Sequence, residues 1–433
     1  MNKADLLITN CSHLLTCHGP IPKTGSALQD VGLIENGSIA SYQGKIVHVG
    51  SETEFYDAFR LTADGFHLDG TGQTALPGFV DSHTHLPFAG SREKEFVLRL
   101  KGYSYQELTE MGLGIQTSVK STRQASLQTL ISLGLSRLDS MLKHGTTTVE
   151  AKSGYGLNLD DELKQLEALK MLNQQHPCDI VSTFMGAHEV PPEYKTRKDE
   201  YIKLLTHDIL PEVKNRSLAE FFDVFCEEGV FSIEESRNLI QAAKQAGFKI
   251  KMHADEFAPL GGAQLAAEEG AVSADHLIAI TDEGIAALAA SGTTATLLPG
   301  VSFFLMQERK APARKLIEAG AIVALATDFN PGSSMTESMF FVMQLAVFTL
   351  KMSIEEAVNA ATANAAYALD RHRTVGSLEL GKNMDLILCN CLNYPYLVYH
   401  FGINPITTVI KHGKVVVSNG NVERTDSSRG RSL

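Results

Sequence analysis

The stretch Gly78-Phe79-Val80-Asp81-Ser82-His83-Thr84-His85 decides the fold. It follows a Pro-Gly turn signal, starts as a short apolar run, and passes without a break into groups that carry protons or bind metals. Strands that end in chemistry are the mark of a parallel barrel, whose functional groups sit at the C-terminal end of the strands. The pattern recurs down the chain. Residues 146–150 run on to Lys152, 180–185 to His188, 222–226 to Glu227 and 249–253 to Glu256, while 274–276 end in Asp275-His276 and 322–327 lead to Asp328. Residues 294–298 complete a set of eight strand candidates.

Segments with helical periodicity separate them. Over 232–246, Ser232 and Glu235 form a capping box and Gly247 supplies the stop. A last helix is expected over 353–369, where Ser353 is an N-cap followed by two glutamates. Eight strands in βα alternation predict an α/β fold, a (β/α)₈ TIM barrel over residues 77–375. A doubly wound nucleotide-binding sheet is the alternative, but no GxGxxG or GxxxxGK[ST] occurs.

Both ends of the chain read differently. Residues 5–9, 38–42 and 45–49 are strand-like, the last two joined by a Gln43-Gly44 turn. Residues 385–389, 407–411 and 414–418 match them, with a His412-Gly413 turn. Neither end has enough apolar residues for a core of its own. One small β-sandwich domain built from residues 1–76 and 376–433 resolves this, with a polar, disordered tail over 424–433.

Lysine and arginine number 38 against 50 aspartates and glutamates, a formal charge of −12, which argues against a nucleic-acid partner. The longest nearly apolar run, 339–350, is too short for a bilayer span of about 20 residues and reads as buried helix or interface. No apolar leader follows Met1, and six cysteines make no disulfide framework, so the expected setting is cytoplasmic and reduced. Cys389 and Cys391 lack a second ligand pair and read as buried thiols.

His83 and His85, two apart on an extended backbone, point to one face. They are either barrel-interior histidines satisfied by hydrogen bonds or two ligands of one ion. His253 and Asp328, ending other strands of the ring, favour the ion. Three imidazoles and a carboxylate suit zinc or iron. Such an ion can lower the pKa of its water to about 7 and supply hydroxide at neutral pH.

PGFVDSHTHL, the histidines of the fifth and sixth strands and ATDFNPG together resemble the amidohydrolase superfamily. That resemblance implies a metal-bearing barrel with a small β-domain from both termini. SHTHLPFAGSREKEF, GTTTVEAKSGYGL, STFMGAHEVP, MHADEF and ATDFNPGSS further resemble members that hydrolyse 4-imidazolone-5-propanoate to N-formimidoyl-L-glutamate, the third step of histidine degradation. By that resemblance His83, His85, His253 and Asp328 are the metal ligands, with zinc first and iron second. Cys226-Glu227 stands where a bridging carboxylated lysine would sit, so one metal is implied; Lys152 is on the wrong strand and reads as a partner of nearby carboxylates.

The roles implied for the rest follow the same motifs. Asp328 takes a proton from the bound water, which attacks the ring carbonyl, Glu256 relays it to the ring nitrogen, and His276 hydrogen-bonds the developing oxyanion. Alternatively Glu256 is a helix N-terminal acid and His276 a supporting prop. Arg92 grips the propionate, while Tyr155, His188, Asn330, Gly332 and Ser333 contact the substrate, and Tyr105 does so from an entrance loop. Gly332 is either such a contact or only a turn residue. Glu189 departs from the AHA expected there, and Glu256 stands where some other members carry Gln. The partners implied are an anionic small molecule and a second copy in a homodimer. The competing enzyme reading is a deaminase of a cyclic amidine or nucleobase, which would have little use for Arg92; a non-enzymatic barrel would lack the histidines.

Overall fold

The computed structural model describes residues 2–51, 59–103, 107 and 111–423. Tyr105 and the 424–433 tail lie outside the described residues. Among the described residues, seventeen strands form two sheets. From the N-terminal part come β1 (Asn2–Leu15), β2 (Leu33–Tyr42), β3 (Lys45–Ser51), β4 (Phe59–Asp69) and β5 (Thr74–Pro77). The central run is β6 (Phe79–Asp81), β7 (Thr146–Lys152), β8 (Asp179–Ala187), β9 (Phe221–Cys226), β10 (Lys249–Ala254), β11 (Ser273–His276), β12 (Thr294–Leu297) and β13 (Ile322–Leu325). The chain returns through β14 (Leu386–Cys389), β15 (Ile406–Lys411), β16 (Lys414–Ser418) and β17 (Asn421–Val422).

β6 to β13 pair in chain order, each parallel to the next, with helices outside. This is the expected (β/α)₈ barrel. Its seam, between β13 and β6, is closed just beyond the strand ends. Asp328 donates its backbone N–H to His83 at 3.0 Å, and His85 donates to Phe329 at 2.9 Å. Below them the Asp81 carboxylate accepts from the Thr327 amide and hydroxyl. Burial raises the Asp81 pKa from 3.8 to about 7. Closing the barrel therefore brings the first and last strand ends, with their histidines and aspartate, into register.

The helix Ile233–Gln245 carries the predicted capping box. The single helix expected over 353–369 is instead two, Ile354–Ala361 and Ala363–Tyr367. Thr362 leaves the helical region there (φ −129°, ψ −86°), and its hydroxyl bonds back to the Val358 carbonyl. A threonine that satisfies backbone in this way competes with the helix and bends it. Helix Met339–Leu350 buries most of its length but leaves Phe348 exposed against Phe401.

The other nine strands form one sheet in the order β17-β16-β15-β14-β5-β1-β2-β3, with β4 also on β1. Both chain ends contribute, as the turns at 43–44 and 412–413 require. All four turn residues have positive φ, the hairpin geometry that matches strand twist. Leu6, Ile8, Leu14 and Ile39 pack with Leu386, Leu388 and Ile410 into a joint core. We propose the division into residues 77–375 and a domain of 1–76 with 376–433.

Candidate active site

Side chains alternate along the barrel strands, and the inward set near the C-terminal end is charged rather than apolar. Lys152 on β7 lies 2.6 Å from Glu150 and 2.8 Å from Asp223 of β9, all fully buried. Lys251 of β10 donates to the Ser82 carbonyl at 3.1 Å. Burial opposes the charge on Lys152, but Asp223, Glu150 and Asp275 outweigh it and hold the ammonium above its ordinary pKa. Asp223 is held well below its usual range despite burial, by Lys152 and His253.

On this charged layer stand the histidines. His83 Nδ1 is 2.7 Å from Asp275 and His253 Nδ1 is 3.1 Å from Asp223, so a carboxylate fixes the outer nitrogen of each ring. Their other faces converge. His83 Nε2 is 3.3 Å and His85 Nε2 3.5 Å from Asp328 Oδ1, and His253 Nε2 is 3.4 Å from His85 Nε2. His83, His85 and His253 offer ligand atoms all within 4.8 Å of one another, as do His83, His276 and Asp328. Burial, with the Lys152 charge second, pushes His83 well below its ordinary pKa. Burial does the same to His85, with His188 next. Lowered in this way, His83 and His85 favour the neutral form that binds metal. His83 Nε2 and Asp328 Oδ1 are buried without a hydrogen-bond partner among the described residues, an arrangement that a cation would relieve. The donor set fits a metal ion.

The cluster floors a cavity of about 540 Å³. His85, Arg92, Tyr155, His188, His253, Glu256, His276, Asp328, Asn330, Gly332 and Ser333 all line it. Of the metal ligands and substrate contacts expected from the sequence, His83 is the one described residue that does not line it. His188 stacks on His85 (4.9 Å, 22°) and its Nδ1 contacts the Gly154 carbonyl at 3.1 Å. Burial lowers its pKa to about 3. His276 has no hydrogen-bond partner on either nitrogen among the described residues; its nearest carboxylate is Glu256, at 3.6 Å. His276 and Asp328 adopt left-handed φ values of 78° and 50°, rare for non-glycine residues and concentrated at functional sites.

Glu256 is not a helix N-terminal acid, because the next helix begins only at Gly262. It lies in a loop pinned by Glu227, which accepts from the backbone N–H groups of Glu256, Phe257 and Ala258. Burial, with the Asp328 and Glu227 charges adding to it, raises the Glu256 pKa well above its ordinary value. Arg92 forms two bonds to the buried Glu95, at 2.9 and 2.5 Å. Asn330 shapes the last loop, accepting from the amides of Gly332 and Ser333 at 2.8 Å each. At Gly332 the loop passes so close to Arg92 that a Cβ there would sit 2.0 Å from Nη1.

Sequence reading gave no role to Asp223, Asp275, Glu227 or Glu95. Asp223 had a signal, a lone carboxylate inside the apolar run Phe221-Phe222-Asp223-Val224-Phe225. Glu95 had none, since it sits among alternating charges on a helix that looks exposed.

An eight-stranded parallel barrel with a histidine–aspartate cluster at its C-terminal end defines the class, and the amidohydrolase family model matches residues 74–416. The chain belongs to the amidohydrolase family. Among its relatives, similar along nearly the whole chain, are imidazolonepropionases. The protein of Geobacillus kaustophilus (strain HTA426) is 50% identical over 421 residues, covering 96% of this chain and 99% of that one. That of Alkaliphilus oremlandii (strain OhILAs) is 48% identical over 420 residues, with the same coverage. The fold is shared with a zinc-bound adenosine deaminase from Xanthomonas campestris, at a TM-score of 0.71, 19% identity and coverage of 98% and 96%.

Proposed function

We propose that this chain hydrolyses 4-imidazolone-5-propanoate to N-formimidoyl-L-glutamate, in the histidine-degradation pathway. The observation that carries the reading is one cavity lined by His85, His253 and Asp328 and also by Arg92. The first set suits a metal and the second a carboxylate. Near-full-length likeness to imidazolonepropionases supports it.

His83, His85, His253 and Asp328 would hold one metal ion, zinc first and iron second. When bound, such an ion supplies Lewis acidity and an activated water. The chain must then move protons and hold charge. Asp328 takes the proton of the water that attacks the ring carbonyl carbon. Glu256, whose raised pKa favours the protonated form, delivers a proton to the departing ring nitrogen as the C–N bond breaks. His276, held neutral because burial lowers its pKa, donates an N–H to the developing oxyanion. Tyr155 stays protonated, since burial raises its phenol, and with His188 it bounds the ring. Asn330, Gly332 and Ser333 wall the far side, and Tyr105 would approach from the entrance.

The ring's ultraviolet absorbance tests this directly. Metal-loaded protein is expected to bleach imidazolonepropanoate without releasing ammonia from nucleobases. Ammonia release with no loss of imidazolone absorbance would instead support a deaminase. Metal content after growth in zinc or iron decides between the two ions.

We also infer a homodimer and a cytoplasmic setting. The exposed Phe348, Tyr399 and Phe401 support the first, as an apolar patch that a second copy could cover. Sedimentation of Tyr399→Asp is expected to show a monomer. Six buried free cysteines are consistent with the second. No helix among the described residues is long and apolar enough to cross a membrane.

A further inference from the structure

Arg92 alone is a poor anchor for a substrate carboxylate. Its Nε and Nη2 are both committed to Glu95, which is only 4% exposed. That pair is already neutral, so a propionate added to it would leave one uncompensated negative charge in a largely buried place. A second cation is needed, and one lines the same cavity. Arg99, two helical turns along the helix Glu93–Leu100, reaches the same carboxylate, with Nη2 3.6 Å from Glu95 Oε1. The same Nη2 donates to the Gly332 carbonyl at 3.1 Å. Its Nη1 is buried without a hydrogen-bond partner among the described residues. The Phe304 ring lies 5.6 Å from the guanidinium and Phe96 stacks on that ring, which limits its movement.

We propose that Arg99 is the second half of the carboxylate site, its guanidinium holding the substrate's propionate together with that of Arg92. Arg92, Arg99, Glu95 and one propionate sum to zero charge, whereas Arg92, Glu95 and the propionate without Arg99 sum to −1. Glu95 serves as the spacer that holds two like charges side by side, and it is itself anchored by the Gly114 amide at 2.8 Å. The ligand class this selects is a monoanionic carboxylate on a short flexible arm; a neutral side chain of the same length would leave the site with a net positive charge. The inference rests on the function proposed above, but it has its own readout.

The experiment uses metal-loaded protein, wild type, Arg99→Met and Arg99→Lys. Calorimetry measures binding of imidazole-4-propanoate and of its carboxamide, and steady-state kinetics follow imidazolonepropanoate. Wild type is expected to prefer the carboxylate, and Arg99→Met to lose that preference. KM should rise about 10- to 100-fold, as for a lost charge-assisted hydrogen bond, with kcat within about threefold. Arg99→Lys should recover part of the preference, which a variant that merely misfolds would not do. An unchanged carboxylate preference in Arg99→Met, or equal weakening of both ligands, overturns the proposal. Failure of the wild type to turn over imidazolonepropanoate while still preferring the carboxylate would overturn the proposed reaction and leave the Arg99 site standing.

Discussion

Asp275 and His83 face each other across the barrel, Oδ2 to Nδ1 at 2.7 Å, from strands that are not neighbours. A carboxylate at that distance accepts the Nδ1 proton and leaves Nε2 as a lone-pair donor aimed at Asp328. Asp223 does the same for His253. Both carboxylates lie within reach of one ammonium, Lys152, Asp223 at 2.8 Å and Asp275 at 3.8 Å. The tautomers of two candidate ligands are thus set by a buried ionic layer beneath them.

Asp275→Asn should therefore weaken metal binding while leaving the barrel folded. The amide can turn its NH₂ toward Nδ1 and drive the proton to Nε2, where it blocks the metal. Loss of such an orienting partner typically costs 10- to 100-fold in affinity. Competition against a chelator of known strength measures it, and an affinity equal to wild type would show that Asp275 does not set the tautomer.

Glu256→Gln separates proton relay from hydrogen bonding. The amide keeps the shape and the capacity to bond but cannot deliver a proton. If Glu256 relays, kcat should fall by about 100-fold or more with KM nearly unchanged. Turnover close to wild type would reduce Glu256 to a substrate contact.

Gly332→Ala tests the close approach of the last loop to Arg92. Its Cβ would meet Nη1 at 2.0 Å, so the guanidinium must move. KM for imidazolonepropanoate is expected to rise about 10-fold or more, with kcat affected far less, because the displaced group binds a remote carboxylate. Equal KM values would mean that Arg92 has room to shift without losing its ligand.

How far the sequence reached depends on which force decides each feature. The barrel was legible because a parallel strand is short, apolar and ends in polar residues, a local pattern. The ligands were legible for the same reason: His83 and His85 share a strand face, and His253 and Asp328 end strands. β4 and β5 were missed because their partners are set by long-range pairing to β1, not by their own alternation. The Thr362 break was missed because a run of helix formers hid one hydroxyl-to-carbonyl bond. Arg99 could not be told from a surface arginine until Glu95 was seen to be buried.

Lys411 joins the terminal sheet to the barrel floor, 2.7 Å from both Asp385, just before β14, and Asp179 at the start of β8. Burial opposes its charge, but Asp385 and Asp179 prevail and raise its pKa above 10.5. A raised lysine stabilises the fold fully below 10.5 and loses that contribution as pH climbs through the folded value. Asp179 shows the mirror case. Burial pushes it up, yet the His412 hydrogen bond and the Lys411 charge bring it from 3.8 down to about 2. Its contribution is present above 3.8 and fades as pH falls toward 2. Its side chain is 45% exposed, so water screens much of this effect, whereas Asp385 is buried. Lys411→Met strands the Asp385 carboxylate and should cost about 3 kcal/mol near neutral pH. The melting temperature of the variant should lie below wild type from about pH 4 to about 10.5, with the gap closing as pH falls toward 2 and as it climbs past 10.5. A gap that stays constant across the acid and alkaline limits would mean that Lys411 acts through packing of its stem and not through its charge.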